Sequence, residues 1–267
     1  MHSSLITIYT EDEITRLREG GALLASILQT LKAEVVAGMS TEYINTRALE
    51  LCEAHGATAA FLGYAPEGAK RGFPAALCVS VNEEVVHGIP NEQPRILKDG
   101  DVVVLDMGLL YKDLYTDSAI TVVVGGNDKN PTGAEMIKVG ERALYAAIDM
   151  IKPGVRTGSV GAVIEEVVQA SHTHAHKFSL PYELGGHGIG HRVHEDPFMP
   201  NFGKKGTGPI LRAGMVLAIE PILTEKSPRI KMAKDGYTYI TSDKGLSVHV
   251  EHTVVVTDHG CEILTRV

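Results

Sequence analysis

VVVLDMGLLYKDLYTD, residues 102–117, carries two aspartates on what reads as one strand pair. Residues 102–105 are an apolar, largely β-branched run, which predicts a buried strand ended by Asp106. A carboxylate there is costly unless something pairs with it. Asp117 follows eleven residues later. On one straight strand the two would stand roughly 36 Å apart, at about 3.3 Å per residue, and on opposite faces. A hairpin turning near Tyr111-Lys112-Asp113 instead sets Asp106 opposite Asp117 on one face, with Cβ atoms about 5 Å apart. Like charges so placed repel unless a cation lies between them, and that geometry suits a divalent metal with oxygen ligands. For this pair alone, a solvent-facing hairpin with incidental acids is the competing reading.

The pair recurs. LKDGDVVVLD (97–106) aligns with LRAGMVLAIE (211–220), which lays Asp106 on Glu220. DSAITVVV (117–124) aligns with EHTVVVTD (251–258), which lays Asp117 on Glu251. Two copies at so long a period exclude a solenoid. They suggest two half-domains, about 1–127 and 128–267, joined about a pseudo-two-fold axis into one unit. Four carboxylates on four strand ends then converge at one centre. Surface decoration does not explain that pattern; a metal site does.

The 267 residues are enough for one large domain or two small ones, and 44% apolar with 22% charged residues is ordinary for a globular protein. A formal net charge of −8 gives no electrostatic reason to expect nucleic acid or an anionic membrane as partner. Cys52, Cys78 and Cys261 are far apart and not in CxxC spacing, which argues against a disulfide framework and a structural zinc site. MHSSLITIYTEDE has no basic region followed by an apolar core, so it does not read as a signal peptide, and no apolar run is long enough to span a bilayer. The expected compartment is the reducing cytoplasm.

Thr10-Glu11-Asp12-Glu13 reads as a capping box opening a helix. Ile14, Leu17, Leu23, Leu24, Ile27, Leu28 and Leu31 then recur at helical spacing, with an expected end near Gly38. Ser40 or Thr41 opens a second helix, to about His55. Residues 58–74 form a Gly/Pro-rich loop holding Phe61, Tyr64 and Phe73, either a disordered connection or a pocket wall. Residues 76–81 read as a short strand, and His87 sits on the turn of VVHGIP. Asn130-Pro131-Thr132 and Thr157-Gly158-Ser159 open two more helices, repeating the order helix, helix, strand pair. SHTHAHK places His172, His174 and His176 in alternation; with no acid or thiol nearby, it reads as an exposed polar connection. ELGGHGIGHRVHEDP (183–197) is richer: its glycines exclude a regular helix and let backbone approach a ligand, and it carries His187, His191 and His194. A Gly-flanked imidazole can complete an otherwise carboxylate site, which favours a role for His187 or His194. From Met215 the chain reads as strands with turn signals between them. The class is therefore α+β, a curved antiparallel sheet flanked by four helices.

The ordered set VHGIP, LD(x10)D, GGHGIG(x3)HEDP, AIEP and VEHTVVVT resembles the type I methionine aminopeptidases, over nearly the whole chain. The resemblance implies their pita-bread (creatinase/aminopeptidase) fold and removal of the initiator methionine when the second residue is small. It implies that Asp106, Asp117, His187, Glu220 and Glu251 bind two divalent ions, which activate a hydroxide; Mn, Fe(II), Co and Zn all suit the set. Glu220 is then the general base, and His194 the group facing the scissile carbonyl. His87 holds the peptide nitrogen and helps proton delivery to the leaving amine. Tyr64 and Cys78 fit the family's methionine pocket. Phe61, Val193 and Tyr237 depart from it, standing where the family commonly has Cys, an aromatic and Trp. Leu184 and Gly185 depart as well, and the segment 65–73 is longer than usual. These departures bear on how strictly methionine is preferred. The implied partners are the N-terminal Met of peptides and nascent chains, with transient ribosome association and a monomeric state, and with neither nucleic acid as substrate nor membrane. Proline-directed relatives usually carry a large extra N-terminal domain, for which a first helix starting near residue 11 leaves no room. A non-catalytic relative would have lost ligands. Type II relatives carry a long helical insertion that is missing from this sequence.

Overall fold

The computed structural model describes residues 6–66, 68–173 and 177–267. Thr10 opens α1 (Glu11–Glu34) as a capping box, its N–H donating to the Glu13 carboxylate at 2.8 Å. The helix stops at Glu34 rather than near Gly38. Val35 turns to extended backbone, and the Gly38 N–H donates to the Leu97 carbonyl at 2.8 Å, docking the turn on a neighbouring segment. Ser40 Oγ caps α2 (Thr41–Ala54), accepting from the Tyr43 N–H at 3.1 Å. Five strands follow: β1 (Thr58–Ala59), β2 (Cys78–Val81), β3 (Glu84–Val86), β4 (Val102–Tyr111) and β5 (Leu114–Val123). Next come α3 (Pro131–Met150), with Asn130 as cap and Pro131 in its first turn, and α4 (Thr157–Ala170). The remaining strands are β6 (Gly185–Gly188), β7 (Glu195–Pro200), β8 (Val216–Ile219), β9 (Ile222–Thr224), β10 (Ile230–Met232), β11 (Tyr239–Thr241), β12 (Ser247–His249), β13 (Glu251–Val256) and β14 (Cys261–Ile263).

The main sheet runs β1-β4-β5-β13-β8-β6-β7, with β2 added on β4 and β14 on β13. The pair β5–β13 is its seam. Outward from it β4 and β8 are counterparts, so the sequence repeat becomes a pseudo-two-fold relation between hairpin and strand pair. α1 lies across β4 and β5, while α3 and α4 pack on each other behind β12, β5 and β7. Alternation along β4 sorts its residues. Val103, Leu105, Met107 and Leu109 join Leu24, Ile27, Leu28 and Leu31 of α1 in one apolar cluster, so Asp106 stands on the face away from that helix. No helix among the described residues is long and apolar enough to cross a membrane.

The hairpin differs from the sequence expectation in two respects. Its strands continue past both aspartates, so Asp106 is mid-strand rather than terminal. Its turn is Lys112-Asp113, both with left-handed backbone (φ 48° and 64°), one residue beyond the position that direct opposition requires. The register therefore pairs Asp106 with Ala119 and Gly108 with Asp117. The two aspartates share a face as diagonal rather than facing neighbours. The segment 183–197, whose glycines exclude a regular helix, supplies β6 and the start of β7.

Gly186 is required where β6 meets β8: a Cβ there would lie 2.1 Å from the Ala218 carbonyl oxygen. Gly186→Ala is expected to prise β6 from β8 and carry His187 with it, costing about 1–3 kcal/mol as other overpacking changes do. Thermal unfolding and metal retention after dialysis measure the two effects. A variant matching the unaltered protein in both would show that the contact yields freely.

Candidate metal centre and substrate pocket

One cavity of about 370 Å³ is lined by Asp106, Asp117, His187, Glu220 and Glu251 together with Phe61, Tyr64, Cys78, His87, His194 and Tyr237. The structure thus brings together every residue that the sequence reading nominates for the site. Asp106 comes from β4, Asp117 from β5, Glu251 from the first position of β13, His187 from β6, and Glu220 from the residue after β8. Asp117, His187 and Glu251 each offer a ligand atom within 4.8 Å of the others. His187 Nε2 stands 3.7 Å from Glu220 Oε1.

Backbone sutures hold these groups. The Thr253 hydroxyl donates to the Asp117 carbonyl at 2.7 Å and accepts from its N–H at 2.9 Å. Ser118 Oγ donates to the Glu251 carbonyl at 2.7 Å, and Asn201 Nδ2 to the Glu220 carbonyl at 2.8 Å. His187 Nδ1 donates to the Gly188 carbonyl at 2.9 Å, which fixes the tautomer and leaves Nε2 as a lone pair facing the acids.

The electrostatics are those of a site short of positive charge. Asp106, Asp117 and Glu251 are 6%, 3% and 2% exposed. Burial pushes Asp106 up to about 6, with the Glu220 charge adding to it and His249 opposing it. Burial also raises Asp117 and Glu251 well above the carboxylate range, reinforced by their acidic neighbours. Glu220 is raised by burial, with His249 opposing the rise. Burial holds His187 down to about 3, so its ring is neutral at physiological pH. Asp117 Oδ1 and Glu251 Oε1 are buried without a hydrogen-bond partner among the described residues. Carboxylates with unsatisfied oxygens beside a neutral imidazole lone pair fit divalent cations: a cation supplies both the missing partner and the missing charge.

The other predicted residues flank that cluster. Tyr64 Oη lies 2.7 Å from His194 Nδ1, and the His194 and His187 rings meet edge to face at 4.5 Å. His194 is exposed to the cavity. Its loop is pinned by Glu195, which accepts from the Tyr9 hydroxyl at 3.1 Å and the Arg192 N–H at 2.9 Å. His87 is half-buried with left-handed backbone (φ 59°), and its carbonyl accepts from Thr238 Oγ1 at 3.1 Å. Burial lowers its ring to about 4. Cys78 faces Asp106 across the β2–β4 ladder, and burial with two neighbouring aspartates keeps its thiol protonated. Phe61, Phe73, Cys78 and Val193 form an apolar wall against which Tyr64 and Tyr237 pack. The segment 58–74 is thus a pocket wall, tied down where the Tyr237 hydroxyl donates to the Arg71 carbonyl and Arg71 pairs with Glu92.

His191 points elsewhere, its Nε2 2.8 Å from Glu13 Oε1. His172 Nε2 bonds the Phe178 carbonyl at 2.8 Å; His174 and His176 lie outside the described residues. The sequence reading missed His249, which lines the cavity and is 2% exposed. Its signal was available: His249 and Glu251 are separated by one apolar residue in LSVHVEHT, the alternation of residues sharing a strand face.

Residues 15–258 match metallopeptidase family M24. Methionine aminopeptidase B of Synechocystis sp. is 40% identical over 263 residues, covering 98% of this chain and 93% of that protein. The crystal structure of methionine aminopeptidase from Thermotoga maritima aligns with a TM-score of 0.90 at 39% identity, covering 98% of this chain and 100% of that one. Prolidase from Pyrococcus furiosus aligns with a TM-score of 0.71 at 22% identity, covering 97% of this chain and 65% of that one, a likeness of fold alone.

Proposed function

The chain belongs to metallopeptidase family M24, and from that membership and its cavity we infer that it removes the N-terminal methionine of peptides and nascent chains when the second residue is small. The observation that carries this reading is the convergence of three buried acids, the half-buried Glu220 and His187 beside an apolar wall in one cavity. Asp106, Asp117, His187, Glu220 and Glu251 would hold two divalent ions, Mn, Fe(II), Co or Zn, which when bound supply Lewis acidity and lower the pKa of water.

The chain's own residues do the rest. The methionine side chain lies on the wall of Phe61, Phe73, Cys78 and Val193, closed by Tyr64 and Tyr237. A free α-amino group suits the acidic end of the cavity, which accounts for exopeptidase action. Glu220 takes the water proton on its carboxylate and returns it towards the leaving amine. With the Tyr64 hydroxyl donating to Nδ1, His194 carries its own hydrogen on Nε2, available to the scissile carbonyl oxygen. His87, neutral at its lowered pKa, holds the scissile nitrogen. These rings crowd the far side of the scissile bond, which excludes large second side chains. Residues 1–127 and 128–267 act as one catalytic unit, since the first half supplies Asp106 and Asp117 and the second supplies His187, Glu220 and Glu251. The protein works as a cytoplasmic monomer that associates transiently with the ribosome.

The test is turnover of Met-Ala-Ser, Met-Leu-Ser and Ala-Pro-Ser peptides by metal-free protein resupplied with Mn, Fe(II), Co or Zn. Metal-dependent cleavage of Met-Ala-Ser alone is expected. Cleavage of Ala-Pro-Ser instead would move the chain to the proline-directed branch of the fold.

A further inference from the structure

We propose that His249 is a positioning residue of this centre, a hydrogen-bond donor that orients the Glu220 carboxylate for metal; the proposal rests on the metal reading above. His249 ends β12, two residues before Glu251, and is 2% exposed. Its Nε2 stands 3.4 Å from Glu220 Oε2 and 3.7 Å from Glu251 Oε2. Neither ring nitrogen has a formed hydrogen bond among the described residues. A buried imidazole left in that state is costly, so it needs a partner, and the acids within reach are metal-ligand candidates.

The backbone that carries the ring is fixed. The Thr121 hydroxyl of β5 donates to the His249 carbonyl at 2.6 Å and accepts from its N–H at 3.2 Å, locking the residue to the seam on both sides. A small rotation of the ring, with a shift of a few tenths of an ångström, brings Nε2 and Glu220 Oε2 to ordinary hydrogen-bond geometry. The two Glu220 oxygens are then distinguished. Oε2 is held by His249, while Oε1, 3.7 Å from His187 Nε2, is the one presented to an ion. His249 Nε2 lies nearer Glu220 Oε2, at 3.4 Å, than Glu251 Oε2, at 3.7 Å, which favours a role through Glu220. Partners of this kind, one step behind a ligand, typically change metal affinity by about 10–100-fold when removed.

The experiment titrates metal-free protein with Co(II), read by calorimetry and by the visible absorption of the bound ion. His249→Gln keeps an N–H donor of similar reach, and His249→Leu keeps bulk without a donor. The Gln variant is expected to load Co(II) within about threefold of the unaltered protein with the same spectrum. The Leu variant is expected to bind about 10–100-fold more weakly with an altered spectrum. A Leu variant that binds as the unaltered protein does overturns the proposal. So does a folded Gln variant that has lost affinity, which decides the matter even where the Leu variant does not fold. If the unaltered protein takes up no Co(II), or Asp106→Asn leaves uptake unchanged, the metal reading itself fails. If uptake depends on Asp106 but not on His249, only the present proposal fails.

Discussion

Asp106→Asn is expected to make the metal-free protein more stable at pH 7.5 while removing its activity. Burial raises the Asp106 carboxyl from an ordinary 3.8 to about 6. A carboxyl whose folded pKa lies above its unfolded one binds protons more tightly in the fold. Stability is therefore lost as pH rises from about 3.8 through about 6, and the full cost is present above that window. At 1.36 kcal/mol per pKa unit the cost is on the order of 3 kcal/mol. Asn keeps the shape and an acceptor for the Cys78 thiol but carries no charge to strand. Metal-free Asp106→Asn should then unfold several degrees higher at pH 7.5, with the difference closing below pH 4. With saturating Mn or Co the order reverses, because the unaltered protein gains binding energy that the variant has lost. Turnover of Met-Ala-Ser should fall by at least about 100-fold, more than removal of a group behind the ligands would cost. Thermal unfolding at both pH values, with and without metal, together with peptide kinetics, checks all of this. Equal metal-free stability at pH 7.5 would show that Asp106 is not a stranded charge, and undiminished turnover would remove it from the ligand set.

That trade of stability for function explains why the acids were legible in the sequence. A carboxylate following an apolar β-branched run has few physical justifications, and four such residues in matched positions have fewer. Their register was less legible. Tyr111-Lys112-Asp113-Leu114 contains no glycine or asparagine to mark a two-residue turn, so nothing local indicates that Lys112 and Asp113 adopt left-handed backbone. The end of α1 was misjudged for a similar reason: Val35 leaves the helix so that the turn at Gly38 can dock on Leu97, a contact made outside the local window. The segment 58–74 could not be assigned to wall or disorder because its anchors, Tyr237 on the Arg71 carbonyl and Phe73 against Tyr237, join residues more than 160 positions apart. His249 was lost differently. Its alternation with Glu251 is visible, but only the closing of the second half brings its ring to Glu220.

His194→Ala is the complementary case, a large loss of rate with the metal retained. The His194 ring is exposed to the cavity and meets His187 edge to face, yet its Nδ1 is occupied by the Tyr64 hydroxyl at 2.7 Å rather than by an acid. A residue so held presents Nε2–H to a substrate oxygen and adds nothing to the charge balance of the acids. Removing one preorganised donor to a developing oxyanion costs about 100–1000-fold in kcat, and that range is expected here, with metal content by elemental analysis unchanged. Tyr64→Phe should do less, about tenfold, because the imidazole stays while the bond that selects its tautomer is lost. The two variants should also combine to less than the product of their separate effects, since Tyr64 acts through His194. Loss of metal from His194→Ala would place that ring among the ligands. Full independence of the two substitutions would mean that Tyr64 serves only as part of the methionine wall.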